Sequence, residues 1–216
     1  MSRFLKRYAT VEGPQIKTRL GRVAWLSILL GLLMEALLII VRLGNLQTLE
    51  LLLSDVAQGI SWAFLVCMGL AIGRVVSKGN PLWGGLAGLI SAPSAFLIAR
   101  GVHEGATEFL AATAAAPGAA SAATMALIRG VEYFCLGAAI IWLGERPWGG
   151  AIAHIAAGLI AGALFGGIVL ALTPQAAASS ISLASLAINE LLFPIGCSLV
   201  LYSSAAVGRQ VVGEAA

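Results

Sequence analysis

Charged residues are scarce in this sequence. Its 216 residues include 13 Lys or Arg and 10 Asp or Glu, together 11% of the chain, whereas 59% are hydrophobic. A soluble domain carries about a quarter charged residues, so this chain cannot cover its surface with polar groups in water. The composition therefore excludes an ordinary soluble domain, and with a net charge of only +3 we predict no nucleic-acid partner.

Histidine and cysteine are also rare, which limits the chemistry available. The histidines, His103 and His154, are too few and too far apart for a haem, zinc or di-iron site. The spacing of the three cysteines fits neither a zinc site nor a CxxC redox pair, so we interpret them as small packing residues. No nucleophile elbow, zinc-protease motif or Walker motif occurs. We predict no metal site and no cofactor, and no catalytic residue can be assigned, which disfavours an enzyme.

Long apolar segments make up most of the remaining sequence. A transmembrane helix needs about 20 largely apolar residues to cross roughly 30 Å of hydrocarbon, and the absence of period-2 alternation argues against a β-barrel. Six segments qualify: 23–41, 55–73, 82–100, 123–143, 149–172 and 182–206. The sequence therefore predicts an all-α polytopic membrane helical bundle, with a six-helix transmembrane domain over 23–207.

If successive spans cross the membrane in opposite directions, most of the basic residues lie on one side of it. Only Arg42, Arg100 and Arg129 fall toward one side. The other ten share the opposite side: Arg3, Lys6, Arg7, Lys17, Arg19, Arg22, Arg74, Lys78, Arg146 and Arg209. By the positive-inside rule both termini are cytoplasmic (N-in/C-in), with a basic N-terminal segment over 1–22 and a short tail over 208–216. We predict a multi-pass protein of a cell membrane, taken to be the bacterial inner membrane.

A weak internal periodicity accompanies the spans. Gly21, Gly85 and Gly149 recur at a constant spacing of 64 residues, each near the start of an odd-numbered span. This spacing is compatible with a tandem repeat of three helical hairpins. The match is short and lies in glycine-rich sequence, which favours coincidence over a repeat.

The fifth span carries a stripe of small residues. Gly158, Gly162 and Gly166 follow one another at i, i+4 and i+8, a spacing that lets two helix backbones approach closely in lipid. The partner helix could belong to the same bundle or to another protomer. The predicted partners are therefore membrane lipids, with a homo-oligomer or partner membrane subunits left open.

Several ionisable residues lie inside the predicted spans. At a rise of about 1.5 Å per residue, Glu35 and Glu132 reach a similar level just above the midplane, and Arg129 lies one turn from Glu132. Glu190 and Asn189 lie slightly higher. A charge at the bilayer centre costs at least about 2.5–3.5 kcal/mol, so these side chains should face the protein interior. The sequence thus predicts a polar layer within the membrane.

Two prolines fall near this layer. Pro93 and Pro194 each remove a backbone donor from the middle of a span, and we predict that they interrupt the third and sixth helices. Ser91 and Ser94 flank Pro93. The candidate substrate or ion pathway comprises Glu35, Asp55, Ser91, Ser94, Arg129, Glu132, Asn189 and Glu190.

The polar layer allows two interpretations. One is purely structural, with Arg129 pairing Glu132 to hold the helices in register. The other is functional, because three carboxylates exceed what one arginine can neutralise. We therefore predict a small transporter, channel or transport-system subunit that moves a cation, a proton or a small polar solute through an intramembrane polar pocket. The alternative is a structural or assembly subunit of a larger membrane complex, and a lipid-modifying membrane enzyme is the third hypothesis.

Overall fold

The computed structural model describes residues 13–42, 48–110, 121–173 and 180–213, with side chains described between 16 and 206 of those ranges. Within them the chain forms six α-helices and no strand. They are α1 (Gly13–Val41), α2 (Leu49–Ser77), α3 (Pro81–Phe109), α4 (Ala122–Gly144), α5 (Ala151–Leu172) and α6 (Ser180–Gly213). All six are long and apolar enough to cross a membrane. The all-helical prediction is confirmed, and the helices fit a multi-pass integral membrane protein.

Five of the six helices are longer than the apolar segments that predict them, whereas α5 begins two residues later than its segment 149–172. Helices α2 and α3 extend beyond 55–73 and 82–100 at both ends. Helices α2, α3 and α4 are each preceded by a capping residue whose side-chain oxygen accepts a backbone N–H from the first turn. The caps are Thr48, Asn80 and Ser121. Hydropathy marks only the part of a helix that meets hydrocarbon, whereas the helix continues to the polar residue that caps it.

Helices also extend into the two predicted cytoplasmic segments. Residues 1–12 of the basic N-terminal segment lie outside the described residues, and from Gly13 the chain is already helical. Helix α6 continues to Gly213, into the predicted tail. The membrane orientation and the hairpin repeat stay predictions.

The two prolines do not interrupt their helices. Helices α3 and α6 are continuous through Pro93 and Pro194, which corrects the predicted breaks. A proline removes one N–H from a helix, and in a membrane bundle neighbouring helices support the backbone at that point. For Pro93 the neighbour is Gly130 of α4, where a Cβ would lie only 3.0 Å from the Pro93 ring.

The helices form a closed ring in chain order. Each packs against the next, and α6 packs against α1. Helices α2, α4 and α6 also contact one another, whereas α1, α3 and α5 each lie between two members of that inner set. The three inner helices run in the same direction, because each follows an outer helix that runs the opposite way. Their N-terminal ends therefore meet at one end of the bundle, which we call the α2/α4/α6 start.

An aromatic cluster joins the inner helices near their middle. The rings of Trp62, Tyr133 and Phe193 come from α2, α4 and α6, with centroid separations of 5.7–6.5 Å. Nearby, the Sγ atoms of Cys67 and Cys197 lie 3.3 Å apart and both residues are fully buried. This agrees with their interpretation as packing residues. Cys135, in contrast, is exposed on the outside of the bundle.

The glycine stripe of α5 faces α6 of the same chain. A Cβ at Gly162 would lie 2.7 Å from the Glu190 carbonyl oxygen, and a Cβ at Gly166 would lie 2.7 Å from the Glu190 Cβ. At Gly158 a Cβ would lie 2.5 Å from the Ile195 Cα. The close approach predicted from these glycines is therefore made inside the bundle. Its position matters for the site, because it presses α5 against the part of α6 that carries Glu190.

Candidate functional site

A cavity of about 600 Å³ lies among α1, α2, α3, α4 and α6, in the half of the bundle toward the α2/α4/α6 start. Two of its walls are single helix faces. Helix α2 contributes Asp55, Gln58 and Trp62, spaced at i, i+3 and i+7. Such spacing places the three side chains on one side of the helix. The polar side chains of Asp55 and Gln58 lie near the helix start, and the Trp62 ring lies deeper in the bundle.

The second wall follows the same rule on α6. Ser182, Ser185 and Asn189 line the cavity at i, i+3 and i+7. The residue after Asn189 is Glu190, which points toward α4 and is buried. The polar stripe on α6 thus runs from Ser182 to Asn189, and Glu190 lies beside its deep end.

An ion-pair network at the shallow end ties four helices together. Arg42 of α1 donates to Asp55 of α2 over 3.1 Å and to the Ser185 hydroxyl of α6 over 3.3 Å. The other carboxylate oxygen of Asp55 lies 3.5 Å from Nδ1 of His103 on α3. Arg42 and Asp55 are partly accessible, with side-chain exposures of 31% and 21%. They form an accessible rim rather than a sealed core.

Glu35 forms the α1 wall. Its side chain lies directly over Gly59 of α2, where a Cβ would come within 2.9 Å of the Glu35 Cγ. Only glycine leaves room for the glutamate at this helix contact. The carboxylate lines the cavity, and no group in the described part of the chain is hydrogen-bonded to it. Glu35 is therefore a half-buried acid held in place by packing and not by an ion pair.

The deep end of the cavity is closed by one arginine shared between two glutamates. Arg129 donates to Glu132 over 2.7 Å on its own helix and to Glu190 on α6. Its guanidinium also lies 5.8 Å from the centre of the Trp62 ring, within the range of a cation–π contact. Glu132 and Glu190 are 0% and 3% exposed. Arg129 itself lines the cavity, with the two carboxylates behind it.

Two oxygens of this cluster have no partner among the described residues. Oε1 of Glu132 and Oε2 of Glu190 are buried without a hydrogen bond. An isolated buried charge is strongly unfavourable in a low-dielectric interior. The site as a whole contains four carboxylates, those of Glu35, Asp55, Glu132 and Glu190, against the guanidinium groups of Arg42 and Arg129. The carboxylates therefore outnumber the guanidinium groups by two, a surplus of negative charge that bound protons, a protonated His103 or cations would offset.

The structure brings together most of the predicted pathway. Glu35, Asp55, Arg129 and Asn189 line one cavity, and Glu132 and Glu190 adjoin its deep end. The serines beside Pro93 lie elsewhere. Ser91 packs against Gly69 at the α2–α3 contact, and Ser94 is exposed, with its hydroxyl donating to the Ile90 carbonyl over 2.9 Å.

Several lining residues were not predicted from the sequence. Trp62, Gly59 and Ser185 were not predicted to line a site. Arg42 entered the prediction only through its side of the membrane. A signal for them was present, because Asp55, Gln58, Gly59 and Trp62 share one helical face. The serines and asparagine of α6 do the same. Reading polar stripes within apolar helices, rather than charged residues alone, would have found both walls.

No metal-binding group is present in the parts of the chain that the structure describes: nowhere do three His, Cys, Asp or Glu side chains come close enough to hold an ion. No protein-family model matches the chain, and no curated protein or solved structure shows significant similarity to it. Function must accordingly be argued from the cavity itself.

Proposed function

We propose that this protein is a small membrane transporter, channel or transport-system subunit that moves a cation, a proton or a small polar solute through the cavity. The observation that carries the proposal is the cavity of about 600 Å³, which extends from the partly accessible Arg42–Asp55 rim to the buried Arg129 cluster. Ionisable side chains within membrane helices almost always face the protein interior or a water-filled cavity. Such residues commonly mark a substrate or ion pathway.

The balance of charge favours a positively charged cargo. Four carboxylates face two arginines in this region. A recess with excess negative charge and low-dielectric walls raises the local concentration of cations. A merely structural ion pair would need neither the surplus carboxylates nor the empty volume, since an unfilled cavity costs packing energy.

The orientation sets which side of the membrane the cavity serves. With both termini cytoplasmic, as the positive-inside rule predicts, α2, α4 and α6 would begin at the outer surface. The rim of Arg42 and Asp55 would then face the outside of the cell, taken as the periplasmic side of a bacterial inner membrane. A homo-oligomer or an association with partner subunits is compatible with this arrangement.

The alternative of an assembly subunit loses its main support. It relied on the stripe of Gly158, Gly162 and Gly166 as a docking face, and these glycines already contact α6. A lipid-modifying enzyme gains no support either, because no metal-ligand set occurs among the described residues.

Flux through reconstituted protein tests the proposal. Proteoliposomes under an imposed gradient are assayed for proton movement with an entrapped pH dye, for monovalent cations, and for labelled polar solutes. We expect flux by the native chain and a reduction of at least about tenfold, equivalent to 1.4 kcal/mol, in Glu35→Gln and Glu132→Gln.

The matched control is Glu104→Gln. Glu104 is exposed on α3 and pairs with Arg100 of its own helix at 2.7 Å, away from the cavity, so flux should be unchanged. Absence of flux for every cargo, or equal flux in Glu35→Gln, Glu132→Gln and the native chain, would exclude the proposal.

A further inference from the structure

Glu35 differs from the other acids of the cavity in having no positive partner. Asp55 is bonded to Arg42 and lies beside His103. Glu132 and Glu190 share Arg129. Within the described residues, the Glu35 carboxylate makes no hydrogen bond or ion pair. It shares the cavity with Arg42, but that guanidinium is already paired with Asp55. The position left for a compensating positive charge is therefore in the cavity itself.

The walls around that position combine apolar and aromatic side chains with polar ones. Trp62 of α2 and Phe96 of α3 line the cavity, together with Leu38 and Leu186. Aromatic and aliphatic walls bind the apolar body of an organic ligand, and a few convergent polar groups fix its orientation. Of the polar groups on these walls, Glu35 and the amides of Gln58 and Asn189 take no part in the two arginine networks at the ends of the cavity.

The volume of the cavity favours an organic cation over a divalent metal ion or a proton. A volume of about 600 Å³ falls in the range of about 300–1,000 Å³ typical of sites for drug-sized ligands. A dehydrated divalent cation instead needs six or more oxygen ligands at about 2.0–2.6 Å. No cluster of three potential ligand side chains exists among the residues that the structure describes. A proton needs no such volume at all.

We propose that the cavity binds a monovalent organic ammonium ion, with the Glu35 carboxylate as its counter-ion and Trp62 and Phe96 as contacts for its apolar body. Arg129 occupies a position over Trp62, so the ammonium group lies at the α1 wall and the apolar body extends toward α3 and α6. This inference rests on the proposed function for the choice of site, and it adds the chemical class of the cargo.

Equilibrium binding of benzyltrimethylammonium to the full-length protein in mild detergent tests the inference, measured by isothermal titration calorimetry. We expect saturable binding that equal concentrations of NaCl do not displace. Glu35→Gln, which keeps the shape of the side chain, should weaken binding at least about tenfold. Trp62→Phe should retain most of the affinity, whereas Trp62→Ala should lose it. Glu104→Gln is the control and should bind as the native chain does.

Each variant is first checked for a native elution volume and melting temperature, so that loss of folding is not mistaken for loss of binding. No saturable binding by the native chain, or equal affinity in Glu35→Gln, overturns the inference. Proton or inorganic-cation flux through Glu35 without ammonium binding also overturns it but leaves the proposed function standing. The protein could instead bind the ammonium ion in a Glu35-dependent way and show no flux of it or of any other cargo. That result would retain the inference and exclude transport.

Discussion

Arg129 of α4 donates a hydrogen bond to Glu190 of α6, a residue 61 positions further along the chain. The same guanidinium holds Glu132 one turn along its own helix. Breaking a buried pair by removing one partner leaves an uncompensated charge and costs about 3–5 kcal/mol. This contact therefore both fixes α4 against α6 and sets the deep end of the cavity.

Removal of Arg129 should destabilise the protein strongly. We expect Arg129→Met to lower the free energy of unfolding by about 3–5 kcal/mol, because two buried carboxylates lose their shared counter-ion. The measurement is thermal or denaturant unfolding in detergent. Arg100→Met is the matched control, since Arg100 and Glu104 form an exposed pair within one helix worth less than about 1 kcal/mol.

A triple variant separates charge from packing. Arg129→Met combined with Glu132→Gln and Glu190→Gln removes all three charges and should recover much of the lost stability. If the triple variant is as unstable as Arg129→Met alone, the cost arises from lost packing around Arg129 and not from buried charge.

The α5–α6 contact should not tolerate a larger residue at its glycines. A side chain at Gly162 would meet the Glu190 carbonyl at 2.7 Å and the Leu191 carbonyl at 2.9 Å, so Gly162→Leu should force the helices apart and cost at least about 1–3 kcal/mol. Gly167→Leu is the control, because nothing lies within 4 Å of a Cβ there. Equal melting temperatures of the two variants would contradict the packing described for α5.

The buried thiol pair gives a prediction about core packing. Cys67 is fully buried beside Cys197, whereas Cys135 is exposed. We expect Cys67→Leu to destabilise the protein by about 1–3 kcal/mol through overpacking, and Cys135→Leu to change stability by less than about 0.5 kcal/mol. Melting temperatures in one detergent compare them directly, and a neutral Cys67→Leu would show that the core is looser than these contacts indicate.

Membrane orientation can be tested at the two ends of α4. With the native cysteines replaced by alanine, a single cysteine is placed at Ser121 or at Glu145, both of which are exposed. An impermeant maleimide should label the Ser121→Cys variant on intact cells and the Glu145→Cys variant only after permeabilisation. The reverse pattern would place the rim of the cavity on the cytoplasmic side.

The sequence by itself determined that the chain forms six apolar helices and which charged residues lie within them. Hydropathy and charge are local properties, and lipid allows a spanning segment little choice but the helix. Glu35, Arg129, Glu132 and Glu190 could be singled out for the same reason, since a charge at that depth is costly wherever the neighbouring helices lie.

Only the tertiary structure decided which of these residues meet. Glu190 reaches Arg129, and Glu35 lies over Gly59, because helices distant in the chain pack side by side at a definite rotation. Rotation and pairing depend on close packing between whole helix faces, which a span's own composition does not encode. The same packing keeps α3 and α6 continuous through their prolines, directs Ser94 away from the bundle, and leaves Glu35 as the unpaired acid of the cavity.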